Sequence, residues 1–148
     1  MKADKNNRLI IITGAGNKSF CSGVDLEQMM FEEIDLARSF ALQLVATNEE
    51  LLGFPKPVIA AINCHAFGGG FGLAASADVR LMVDWAKIAF PVVRFGAIMP
   101  AGCTLRINAL IGVGRSRELL FSGRSPEALR IGLVNQVVAD QTLMARSP

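Results

Sequence analysis

Residues Gly68 to Arg80 read GGGFGLAASADVR, and the fold turns on how this stretch is read. Three consecutive glycines open onto a run of small residues that predicts a helix over Gly70 to Ala77. Small side chains let that helix pack closely, and the glycines let a ligand approach main-chain amides. No acid or base follows the glycines for a helical turn or more. The stretch therefore offers backbone donors without an adjacent proton-transfer group.

Strand and helix signals alternate on either side of it. Leu9 to Thr13 is a short β-branched run that ends in Gly14-Ala15-Gly16, which predicts a buried strand leaving into a tight turn. From Leu26 to about Leu52, Ile34, Ala37, Ala41, Leu44 and Val45 recur at helical spacing, as one long helix or two. Phe54-Pro55-Lys56-Pro57 stops that pattern, because proline lacks an amide donor and biases its predecessor toward extended structure. Val58 to Ile62 predicts a second buried strand, and Arg80 to Val83 and Ile88 to Phe90 predict two more. Arg115 to Phe121 predicts a helix closed by Gly123, Pro126 to Ile131 a short helix closed by Gly132, and Leu133 to Val138 a last strand. No linker, repeat or low-complexity segment interrupts the series, so residues 1–148 are expected to form a single α/β domain.

Composition narrows the function classes. Of 148 residues, 51% are apolar and 19% charged, and the mean hydropathy is +0.39. Such a chain can bury a core and is not disordered. Its net charge is only +2 and its basic residues are scattered, which speaks against nucleic acid as a partner. The longest apolar runs are far too short to span a membrane. Cys21, Cys64 and Cys103 have no paired spacing, so neither a disulfide framework nor a metal site is expected. A reducing, cytoplasmic setting fits these thiols, which read as small core hydrophobes.

Phosphate-loop readings fail on spacing. TGAGNKS follows a strand, but Ser19 stands where a dinucleotide fingerprint has its third glycine. A Walker loop needs a glycine directly before Lys-Ser, and Asn17 occupies that place.

In order, LIIITGAGNKSFCSGVDL, FPKPVIAAINCHAFGGGFGLAASADVRL, KIAFPVVRFGAIMPAGCTLRI, GVGRSRELLFSGR and EALRIGLVNQVV resemble the enoyl-CoA hydratase/isomerase, or crotonase, family. The resemblance runs from about Leu9 to Val138. It implies a crotonase-like spiral of repeated strand-strand-helix turns, without the family's usual N-terminal hairpin and C-terminal helices. It also implies an acyl-CoA thioester as substrate, no separate cofactor, since coenzyme A is part of that substrate, and a homo-oligomer, a trimer or a dimer of trimers. Apolar faces left uncovered predict self-association.

The family holds a thioester oxyanion between two backbone N–H groups, and the resemblance maps these onto Val24 and Gly69. A backbone donor asks nothing of its side chain, so valine serves at 24; at 69, glycine keeps a Cβ away from the thioester oxygen. Substrate contacts are expected from Cys21, Ser22, Gly23, Val24, Asp25 and Leu26, and from His65, Gly68, Gly69, Gly70 and Val92. Asp25 is expected to fix the turn that aims the Val24 amide. His65, the sole histidine, is either a general base or a satisfied, partly buried side chain. Asp78 and Arg80 are expected to pair or cap at the helix-to-strand junction.

Hydratases of the family use two glutamates to position water and move the proton. Their places correspond here to Gly72 and Val92, which cannot carry a proton. Three readings follow: an acyl-CoA enzyme with a different proton carrier, an inactive acyl-CoA-binding or subunit-pairing module, and, last, a nucleic-acid role.

Overall fold

A computed structural model describes residues 6–25, 33–98 and 101–145. Strands β1 (Ile10–Thr13), β2 (Val58–Ile62), β4 (Val79–Val83) and β6 (Gln136–Val138) form a parallel sheet in the order β1-β2-β4-β6. A second parallel sheet pairs β3 (Ala66–Phe67) with β5 (Ile88–Ala89), and Cys21 bridges to Ala66 beside it.

The chain winds through these sheets as a spiral. One turn runs β2, β3 and α2 (Gly69–Ala75); the next runs β4, β5 and the pair α3 (Ala101–Ile111) and α4 (Val113–Ser122). β1, the Cys21 bridge and α1 (Ile34–Leu52) form the turn before them. This is the repeated strand-strand-helix architecture expected from the sequence.

Every residue of β2 is buried, as a parallel strand covered on both faces requires. Phe71 of α2 meets Phe90 edge to face at 4.9 Å, which seats the helix on the smaller sheet. Ile62, Ile107 and Leu133 complete the interior. Among the described residues, no helix is long and apolar enough to cross a membrane.

Several elements depart from their sequence reading. α2 spans Gly69–Ala75 rather than 70–77. The Pro126–Ile131 segment is a series of turns ending at Gly132, where φ is +80°; so few residues do not repay helix nucleation. The last strand starts at Gln136 rather than Leu133. Side chains hold the intervening segment to β4: Arg80 Nε donates to Leu133 O at 3.0 Å, and the Asn135 side chain accepts from the Arg80 backbone N–H at 2.8 Å.

Of the two alternatives expected for Asp78 and Arg80, the side chains cap backbone groups at the junction rather than pairing with each other. Asp78 Oδ2 accepts from Val58 N at 2.8 Å, and Arg80 spends its guanidinium on carbonyls, including Ala77 O at 2.7 Å. Burial pulls the Arg80 pKa down, and the nearby Asp78 charge opposes that shift. α3, not anticipated from its sequence, packs against α4, α1 and α2.

On α1 the predicted stripe holds at Ala37, Leu44 and Val45, which are half-buried with Phe40 and Leu51 while Asn48 is buried; Ile34, 86% exposed, and Ala41 fall outside it. Residues 26–32 lie outside the described residues, so the start of this pattern does too. The glycine loop after β1 is clamped from β2's exit. Gly14 N donates to Asn63 Oδ1 at 3.0 Å, and Asn63 Nδ2 donates to Gly14 O and Gly16 O at 3.2 and 2.9 Å.

Candidate functional site

Two backbone segments meet at the start of α2. The first, residues 20–25, is tied to the second by main-chain bonds: Phe20 N and Cys21 N donate to His65 O at 3.0 and 3.4 Å, and Phe67 N donates to Cys21 O at 3.0 Å. Gly23 has φ +98°, and a Cβ on it would lie 3.1 Å from Gly69 N. A Cβ on Gly69 would lie 3.8 Å from Val24 N. The amides of Val24 and Gly69 are therefore neighbours.

Neither amide has an acceptor among the described residues. For Gly69 the reason is general, since first-turn amides of a helix have no intrahelical partner. Both are half-buried and both border a cavity of about 560 Å³. Two unspent donors bordering one cavity can hold an oxygen that gathers negative charge if both face it.

The cavity wall includes Cys21, Ser22, Gly23, Asp25 and Gly68. Val92, on the 3-10 turn Pro91–Phe95, lies beside the glycines, its Cγ1 3.6 Å from where a Cβ of Gly68 would be. Carbon dominates elsewhere, from Phe40 and Leu44 of α1 and from Phe95 and Ile98.

Not every expected contact comes to this wall. Gly70 is buried behind it, where a Cβ would run into the Cys21 carbonyl; it serves close packing. His65 is also absent from the wall. Its Nδ1 accepts from Lys87 N at 3.1 Å, and its ring stacks on Phe67 and meets Trp85 edge-on. Leu26 lies outside the described residues.

Gly72 is buried within α2, its carbonyl accepting from Ser76 Oγ at 2.8 Å. Neither it nor Val92 brings a carboxylate to the cavity. Among the described residues, the ionisable side chains on the wall are Cys21, Asp25 and Cys103.

Cys103 is buried in the core, as its sequence reading expected, and it also ends a hydrogen-bonded chain. Asn48 Nδ2 donates to its Sγ at 3.3 Å; Ser76 Oγ lies 3.2 Å from Asn48 Oδ1 and shares its single proton between that oxygen and Gly72 O; Arg106 Nη1 donates to Ser76 Oγ at 2.8 Å and Nη2 pairs with Glu49 at 3.3 Å. Burial pushes the Cys103 thiol pKa up, with Arg106 opposing, so the thiol stays neutral at physiological pH. Sequence reasoning missed Asn48. The available signal was an amide residue four after Leu44 and three before Leu51, in an apolar stripe.

The comparisons with known proteins agree with this architecture. The enoyl-CoA hydratase/isomerase family model matches residues 1–147. The chain is 39% identical to a short-chain-enoyl-CoA hydratase of Clostridium acetobutylicum, over 91% of this chain and 53% of that protein. It is 40% identical to the carnitinyl-CoA dehydratase of Escherichia coli K12, over 95% of this chain and 55% of that protein. A crystal structure of an enoyl-CoA hydratase from Bacillus anthracis superposes with a TM-score of 0.91 at 38% identity, covering 99% of this chain and 58% of that one. The chain thus spans about half the length of the relatives it matches. By sequence and by fold, the chain belongs to the enoyl-CoA hydratase/isomerase family.

Proposed function

We propose that this chain binds an acyl-CoA thioester with the carbonyl oxygen between the Val24 and Gly69 amides, where it stabilises an enolate or related oxyanion. The observation that carries the reading is the pair of neighbouring, acceptor-free N–H groups at the border of one large, mainly apolar cavity. One such donor is worth about 2.7–4 kcal/mol of barrier when charge develops on the oxygen. The names of the relatives, a hydratase and a dehydratase acting on CoA thioesters, support the substrate class.

The reaction proposed excludes the paired-carboxylate route to hydration, because positions 72 and 92 carry no acid. That same fact favours a second reading, an acyl-CoA-binding subunit that pairs with active copies. Large apolar side chains left exposed are available for association: Leu36, Leu42, Leu105 and Phe121 are 55%, 60%, 68% and 72% exposed.

Incubating the chain with a panel of acyl-CoA thioesters in D2O, and following both retention and mass, tests the two. Incorporation of deuterium at the α-carbon is expected if enolate chemistry occurs. Retention without any mass change would leave the binding subunit. No retention of any thioester would overturn both.

A further inference from the structure

A second cleft, of about 160 Å³, lies between α4 and the segment that follows it, residues 124–131. It shares no lining residue with the large cavity. Arg115, Glu118, Leu119 and Ser122 of α4 form one wall. They stand at i, i+3, i+4 and i+7, so a single face of the helix borders the cleft. Arg124, Ser125, Glu127 and Arg130 border it from the following segment.

The charges in this cleft are unevenly satisfied. Arg130 Nε donates to Glu127 Oε2 at 2.6 Å, and those two charges answer each other. Arg115, Arg124 and Glu118 form no ion pair among the described residues. Two free cations therefore face one free carboxylate. Ser122 Oγ accepts from Arg124 N at 3.2 Å, which leaves its proton to be donated, and neither Ser122 nor Ser125 has a side-chain acceptor among the described residues.

A cleft of this volume holds one small ligand, so cations on its two walls act on the same group. A carboxylate presents two oxygens in one plane, which suits the fork of a single guanidinium. A phosphate group presents three strong acceptor oxygens in different directions, enough for two guanidiniums from separate segments and a serine hydroxyl. Glu118 opposes any anion bound here and limits the affinity. We infer that this cleft is a binding site for a small molecule carrying a terminal phosphate group, held by Arg115 from α4 and by Arg124 from the following segment. The inference does not depend on the acyl-CoA reading, because it uses neither that cavity nor its residues.

Calorimetric titration of inorganic phosphate into the wild-type chain at low ionic strength tests it. Binding should saturate at one site and weaken as sodium chloride is added. Arg115→Gln and Arg124→Gln should each weaken it by about two- to fivefold, the effect of one exposed charge pair, whereas Glu118→Gln should tighten it. Arg117→Gln removes the same charge from the same helix at an exposed position off the cleft and should leave the affinity unchanged. All four substituted residues are exposed, and a thermal melt of each variant checks the fold. Equal losses in Arg117→Gln and Arg115→Gln would reduce the effect to general attraction by a basic surface and overturn the assignment. Absence of saturable phosphate binding by the wild type would overturn it as well. Displacement of the phosphate by octanoyl-CoA would also overturn it, since the cleft would then be part of the acyl-CoA site.

Discussion

Gly69→Ala isolates the oxyanion site from the fold. Gly69 does not have a positive φ, so alanine can adopt its backbone conformation. The nearest atom to the added methyl would be Val24 Cγ2 at 3.4 Å, an ordinary contact, and stability should change by less than about 1 kcal/mol. The same methyl would sit 3.8 Å from Val24 N, beside the place where an oxygen must lie to accept about 2.9 Å hydrogen bonds from both amides. The oxygen is displaced and loses one or both donors. A hydrogen bond involving a charged group contributes about 1.5–3 kcal/mol, which converts to a loss of roughly 10- to 150-fold in affinity for an enolate. Acetoacetyl-CoA supplies such an enolate, and calorimetry measures its binding while a thermal melt reports the fold. A normally melting Gly69→Ala chain that binds acetoacetyl-CoA as tightly as wild type would refute the placement of the oxygen at Val24 and Gly69.

Three further substitutions probe the surroundings. Val92→Glu puts a carboxyl beside the glycines, in an apolar wall that raises its pKa by desolvation; hydration of a short enoyl-CoA, read as addition of water by mass, should rise by about 10²–10⁴-fold over the wild-type background. Arg80→Met removes the donors to Leu133 O and Ala77 O and should cost about 2–4 kcal/mol in urea unfolding; a loss below about 1 kcal/mol would show that these bonds do not anchor the last strand. Ser116 Oγ is fully buried without a partner among the described residues, so Ser116→Ala should raise stability by up to about 1 kcal/mol, and a clear destabilisation in the same assay would mean that the hydroxyl has an acceptor.

The parts of the molecule legible in the sequence are those set by local chemistry. VIAAI between a proline and a turn could only be a buried strand, and Gly123 closes α4 in the left-handed conformation. The family resemblance carried by the glycine run and the CSGVD segment, not local chemistry, named the pair of amides that the fold makes neighbours. What the sequence hid depends on distant partners. Leu133 to Asn135 look like strand, but the Arg80 guanidinium and the Asn135 side chain divert them. Gly102 and Thr104 weaken the helix signal of α3, which tertiary packing restores. Asn48 was invisible because periodicity scores apolar residues, and the residue that α1 buries most is an amide. Asn63 likewise gives no local sign that it will hold a loop 49 positions earlier in the chain.

The central claim is that Val24 and Gly69 together hold a thioester oxyanion. The absorbance of acetoacetyl-CoA at a pH below its enol ionisation tests this most directly, because two amide donors must favour its enolate over the keto form. Adding the wild-type chain in excess should bring up the enolate band in proportion to the complex formed. Saturating binding without that band would contradict the account, since the ligand would then be held by the cavity and not by the two amides.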